Sequence, residues 1–188
     1  MPTPASSLIA ELPPRERILA TAHRLFYLEG IRASGIDRVI AESGVSKVTF
    51  YRHFPSKNEL ILAYLQQRHQ LWMQWFQDAL NRHAEAGPAA LADALAEWFA
   101  SADFRGCAFI NGLGDIPADA AVADAARRHK TEMRQAIASL LPEGDQQARQ
   151  AGMLALAADG AIVRAQIEGS PDAAIAALRQ MIPLLTAR

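Results

Sequence analysis

Apolar residues recur along this chain at intervals of three and four, interrupted by Gly and Pro, and no run alternates long enough to make a strand. Ile18, Ala22, Leu25 and Phe26 form the first helical stripe. Pro13 and Pro14 suit its opening, where missing N–H groups are not needed, and Gly30 stops it after Glu29. Ser34-x-x-Asp37 has the spacing of a capping box and opens a second, shorter helix that ends at Gly44. A third helix starts at Ser46 and must end near Phe54, because Pro55 disfavours helix in the residue before it. Ser56-Lys57-Asn58-Glu59 repeats the capping pattern and opens a fourth, longer helix that runs to about His83. Residues 1–12, ahead of the first stripe, are expected to form a frayed arm.

Gly87-Pro88 breaks the pattern, and an Ala- and Leu-rich helix follows to about Ala102. The segment FRGCAFINGLGDIP, residues 104–117, is apolar with three glycines and reads as a distorted helix with a turn at either end. Further helices are expected over about 118–141 and from Glu143-Gly144-Asp145 to about Glu168. The last helix follows Gly169, with Ser170 as N-cap and Pro171 at its first position. The chain is therefore read as all-α with about nine helices. A three-helix module over residues 1–57 precedes a helical body over 58–188.

Charge divides along the same line. The 188 residues carry a formal net charge of −1, which shows no affinity for polyanions on average. Up to Lys57, however, eight Lys/Arg face five Asp/Glu, a net +3, and beyond it eleven face fifteen, a net −4. A basic module on an acidic body is what local contact with phosphate requires. The lone Cys107 rules out an intrachain disulfide framework and fits a reducing compartment. No basic stretch precedes an apolar one near the N-terminus, and charged residues interrupt every hydrophobic segment, so a cytoplasmic protein without a membrane partner is expected. No phosphate loop, HExxH, nucleophile elbow or paired-Cys motif is present, and the spacing of Asp115, Asp119 and His129 matches no metal site. Neither an enzyme nor a bound cofactor is expected.

The stretch SGIDRVIAESGVSKVTFYRHFPSK, residues 34–57, carries the chemistry. Gly44 suits the left-handed turn between two short helices, since only Gly adopts it without a Cβ penalty. Two such helices form a helix-turn-helix, whose second helix enters the DNA major groove. Lys47 and Thr49 lie in the first turn of that second helix, within reach of phosphate or a base edge. Phe50 and Phe54 should face inward. Phe26-x-x-x-Gly30, then GIDRVIAESGVSK, then TFYRHFPSKNEL follow in the order seen in TetR-family transcriptional regulators, and over residues 15–65 the chain resembles that family. A weaker likeness lies at Arg105-Gly106-Cys107-Ala108-Phe109-Ile110-Asn111, similar to a regulatory-domain segment of one subset of the family.

The resemblance implies that Tyr51 and Ser34 contact phosphate and that Arg52 faces the groove, where it can pair with guanine. His53 and Lys57 should hold phosphate, Lys57 with help from the positive end of the fourth helix. The family often has Gly where this chain has Val48, a departure that either adds a contact to a thymine methyl or stiffens the helix.

For the body, paired half-sites imply a homodimer on a double-stranded DNA operator. The last two helices are the natural interface, with Leu154, Ala158, Ala161, Ala165, Ile175, Leu178 and Ile182 as candidates that otherwise fill the subunit's own core. The resemblance further implies a small-molecule pocket. Its candidate lining is Trp72, Trp75, Phe76, Trp98, Phe99, Cys107, Phe109, Asn111, Met133 and Ile137, with Asn111, Asp115 and Gln166 as polar anchors. Core packing is the competing role for each aromatic residue, and Cys107 is either a thiol sensor or a buried structural residue. The expected function is a repressor released from its operator by a small hydrophobic or amphipathic effector. The alternative is a DNA-binding protein whose body binds other proteins and no effector.

Overall fold

The structure, a computed structural model, describes residues 11–187. Most of the arm expected over residues 1–12 lies outside the described residues. Among the described residues are nine α-helices and no strand. They are α1 (Pro14–Glu29), α2 (Ile36–Ser43), α3 (Lys47–His53), α4 (Lys57–Arg82), α5 (Ala90–Phe99), α6 (Ala108–Asp115), α7 (Ala120–Ala138), α8 (Gln147–Glu168) and α9 (Asp172–Thr186). A short 3-10 segment, Ala84–Ala89, bridges α4 and α5 around Gly87, whose φ is +57°. None of the described helices is long and apolar enough to cross a membrane.

Local chemistry sets most of these boundaries. Pro14 occupies the first position of α1. Gly44 takes a left-handed conformation, φ +64°, and its N–H bonds to Ala41 O, which closes α2. Ser56 Oγ accepts from Glu59 N at 3.2 Å at the start of α4. Two expected caps are corrected. The N-cap of α2 is Gly35, and Ser34 Oγ instead donates back to Gly30 O at 2.8 Å, closing the turn after α1. Pro171, not Ser170, is the N-cap of α9, so that helix begins one residue later than expected.

The described chain folds into two compact units. The first holds the residues up to Gln70 together with Ala108–Ala126. Its core is built on Ile18, Leu25, Phe26, Val39, Phe50, Leu60, Ile61 and Leu65, all buried. Within it Gly112 of α6 brings backbone close to Ile31 and Leu65, where a Cβ would sit 3.5 and 4.0 Å from their methyls. The second unit holds Leu71–Cys107 and the residues from Arg127 onward. There α8 and α9 form a hairpin, and Gln150 Nε2 donates to Thr186 O at 3.1 Å to tie its open end. Gln147 Nε2 donates to Ala138 O and Leu141 O, satisfying carbonyls that the end of α7 leaves open.

A candidate nucleic-acid interface on the third helix

Seven residues make α3, too few to be stable alone, so its packing and its cap decide whether it forms. Ser46 is the N-cap: its Oγ accepts from Thr49 N at 3.1 Å and lies 2.8 Å from Thr49 Oγ1. Phe50 and Phe54 point inward and are buried, with ring centroids 6.3 Å apart. The Arg15 guanidinium lies 5.1 Å from the Phe54 ring, a cation–π contact that sequence reasoning did not anticipate. Packing on one side leaves the other open. Lys47, Val48, Tyr51 and Arg52 are exposed, Val48 at 71% and Tyr51 at 41%. Tyr51 is steadied edge-on against Phe50 at 5.3 Å. Lys47 Nζ stands 3.6 Å from Asp37, both side chains well solvated, a weak pairing that polyanion contact could exchange. Arg52 has no protein partner among the described residues, so its five donors are available to a ligand.

The remaining expected contacts divide. His53 is half-buried at the end of α3, beside the open face. Thr49 is half-buried with its hydroxyl engaged in the Ser46 cap. Ser34 is fully buried, so its expected contact with phosphate is replaced by the bond to Gly30 O. Lys57 is also drawn inward. Its ammonium donates to Ile31 O at 2.7 Å and lies 6.0 Å from the Phe26 ring. Burial pushes its pKa down, an effect that the Asp115 carboxylate opposes.

Asp115, one of the expected polar anchors, stands at the end of α6. Its Oδ2 accepts from Ile31 N at 2.7 Å and Arg32 N at 3.3 Å. One carboxylate thus fastens α6 to the turn that joins α1 to the helix-turn-helix. Asp119 adds a second tie, accepting from Asn58 Nδ2 at 3.1 Å while capping α7 through Ala121 N and Val122 N. No local pattern could have found the Asp115 bond, because its partners lie 83 and 84 residues away.

An ion-pair network braces the first two helices. Arg38 bonds to Glu29 and, at 2.7 Å, to Glu42, which also pairs with Arg24. Bonds from Arg38 and Arg24 hold the Glu42 carboxyl below its usual range, and the bonds to Glu29 and Glu42 raise the Arg38 guanidinium above its own. Arg24 and Arg38 are thereby neutralised locally.

The expected pocket residues divide between the two units. Phe109 and Asn111 belong to the first unit, where Phe109 is buried and lies edge-on to His69 at 6.4 Å. In the second unit Trp72 stacks on Phe76 at 4.5 Å and meets Trp98 at 5.4 Å and Trp75 at 6.2 Å. Phe104 extends the cluster to Trp98 at 5.2 Å and Phe99 at 4.9 Å. Cys107, Met133 and Ile137 are buried. Trp72, Phe76, Trp98 and Phe99 therefore serve first as aromatic core. One group is left over: Trp72 Nε1 is buried with no acceptor. Gln166 lies against Gly106, φ +78°, where a Cβ would come within 1.8 Å of its Oε1, so only Gly fits there.

The expected interface residues lie on the inner side of the last two helices. Leu154, Ala158, Ala161 and Ala165 on α8, with Ile175, Leu178 and Ile182 on α9, are all buried within the single chain. They form the seam on which the two helices lie against each other, and the alanines permit the close approach. An open apolar groove runs alongside this seam and is lined in part by two of its residues, Ala161 and Leu178. Met153, Leu156, Ala157, Gly160, Met181 and Leu185 also line the groove, whose volume is about 480 Å³, and Leu156 and Leu184 are exposed at 75% and 78%.

Residues 18–64 match the family model described as bacterial regulatory proteins, tetR family. A solved TetR-family transcriptional regulator from Streptomyces coelicolor, SCO4454, is 30% identical to this chain and covers 99% of it, with 95% of that chain covered in turn and a TM-score of 0.82. The HTH-type transcriptional regulator YxaF of Bacillus subtilis is 47% identical over 45 residues, 24% of this chain and 24% of its own length. FasR of Mycolicibacterium smegmatis, a transcriptional activator by name, is 44% identical over 52 residues, 28% of this chain and 24% of its own. This chain thus spans about a quarter of the curated relatives it matches.

Proposed function

This chain belongs to the TetR family of bacterial transcriptional regulators, and we propose that it binds its operator as a homodimer and represses transcription until a small hydrophobic or amphipathic effector releases it. The observation that carries the DNA-binding half is the exposed face of α3. Lys47, Val48, Tyr51 and Arg52 stand on one short, capped helix with nothing in the described chain covering them. The Arg52 guanidinium, without a protein partner among the described residues, is suited to guanine O6 and N7.

Support for a homodimer comes from the open groove on α8 and α9. An apolar face with exposed Leu156 and Leu184 is costly in water, and a second copy with the same face would cover it. Support for an effector is the aromatic cluster around Trp72, whose buried N–H lacks an acceptor. An apolar molecule carrying one acceptor would satisfy it. Release requires that effector and DNA prefer different conformations. The Asp115 bond gives α6 a direct hold on the turn after α1, so a shift of α6 would move the DNA-binding helices. The sign of regulation depends on where the operator lies relative to the promoter.

The test is a band shift with the full chain on the intergenic DNA flanking its gene, repeated over a panel of hydrophobic and amphipathic molecules. A salt-sensitive shift that one of them abolishes supports the reading, together with raised expression of the adjacent gene when the regulator is deleted. Absence of any sequence-specific shift removes the DNA-binding reading. A specific shift that no small molecule alters favours a protein-interaction body instead.

A further inference from the structure

Val48 has no role in holding α3 together. It is 71% exposed, whereas Phe50 and Phe54 supply the inward packing and Ser46 the cap. A β-branched residue is also a poorer helix former than Ala or Lys, by about half a kcal/mol, and a seven-residue helix has little stability to spare. Folding therefore gives no reason for an isopropyl group at this position. Its neighbours supply one. Tyr51 and Arg52 lie three and four residues on, so all three side chains share one outward face. A duplex presents one apolar group in its major groove, the C5 methyl of thymine.

We propose that Val48 is a specificity-determining residue that reads a thymine methyl beside the base read by Arg52. The inference rests on the DNA-binding reading above. The helical rise of 1.5 Å per residue separates positions 48 and 52 by about 6 Å along α3, and base steps are spaced by about 3.4 Å. The thymine then falls within about two base pairs of the guanine that pairs with Arg52. Each half-site carries one such contact.

The test uses the full chain and a duplex recovered by selection from a randomised pool. Each thymine is replaced in turn by uracil, which differs only in lacking the methyl group. For the unmodified protein, one position per half-site should weaken binding about fourfold, the value of one buried methyl group. Val48→Ala retracts both γ-methyls in each subunit and should bind the thymine duplex about as weakly as the original protein binds a duplex with uracil at that position in both half-sites. It should also lose the uracil effect at that position. Val48 is exposed and Ala favours helix, so the variant should fold, and its melting temperature should match or exceed the original. If the original protein shows no uracil-sensitive position, or V48A keeps the same sensitivity, the proposal is overturned while DNA binding stands. If selection recovers no duplex, the DNA-binding reading fails and this inference with it.

Discussion

Gly44, Asp115 and Arg52 each carry a single physical demand, and each demand gives a measurable cost. Gly44 holds φ +64°, a conformation that costs a β-branched residue about 1–2 kcal/mol, so Gly44→Val should lower the melting temperature and weaken DNA binding together. Asp115→Ala leaves Ile31 N without its 2.7 Å acceptor. It should cost about 1–3 kcal/mol in urea unfolding, whereas Asp115→Glu reaches a different position and should rescue only part. The contrast between these residues shows what the sequence could carry. Gly44 was legible because a left-handed turn has a one-residue signature. Ser34 and Lys57 are of a type that suits phosphate, and only the fold shows them bonded to Gly30 O and Ile31 O. Asp115 was invisible in its role because its partners are remote in the chain.

At the scale of elements, α3 and the α8–α9 hairpin are stabilised in different ways. Ser46 supplies the cap of a helix too short to propagate unaided, so Ser46→Ala should destabilise the protein by about 1 kcal/mol and weaken DNA binding without altering sequence preference. The hairpin instead depends on its buried alanine seam. Periodicity revealed that α8 and α9 are apolar but not which of two apolar faces turns inward, since both satisfy the same three-and-four spacing. The seam through Leu154, Ala158, Ala161 and Ala165 is the inner one. Leu156 lies outside it, and Leu156→Arg should therefore leave the subunit's core intact. In analytical ultracentrifugation the variant is expected to sediment as a monomer where the original sediments as a dimer. Unchanged sedimentation would move the interface elsewhere.

Across the whole molecule, two electrostatic features should report on folding and on function separately. His23 is buried beside Tyr64 and Arg68, with neither ring nitrogen hydrogen-bonded, and burial together with the Arg68 charge pushes its pKa down to about 4 from 6.5. Between those values the unfolded chain binds a proton that the folded chain refuses. Stability is therefore intact above about pH 6.5 and falls as pH drops toward 4, by up to about 3 kcal/mol, and His23→Phe should flatten that slope in pH-dependent denaturation. In the proposed function DNA recognition depends instead on the basic face of α3, carried by a chain whose net charge is only −1. The most direct measurement is an equilibrium titration of the selected duplex and an unrelated duplex, over a range of salt, with the original protein and Arg52→Ala. The selected duplex should bind at least roughly a thousandfold more tightly, with log affinity falling linearly in log salt. Arg52→Ala should lose roughly 10- to 100-fold per half-site on that duplex and little on the unrelated one. Equal affinity for both duplexes, or an unchanged preference in the variant, would contradict sequence recognition through α3.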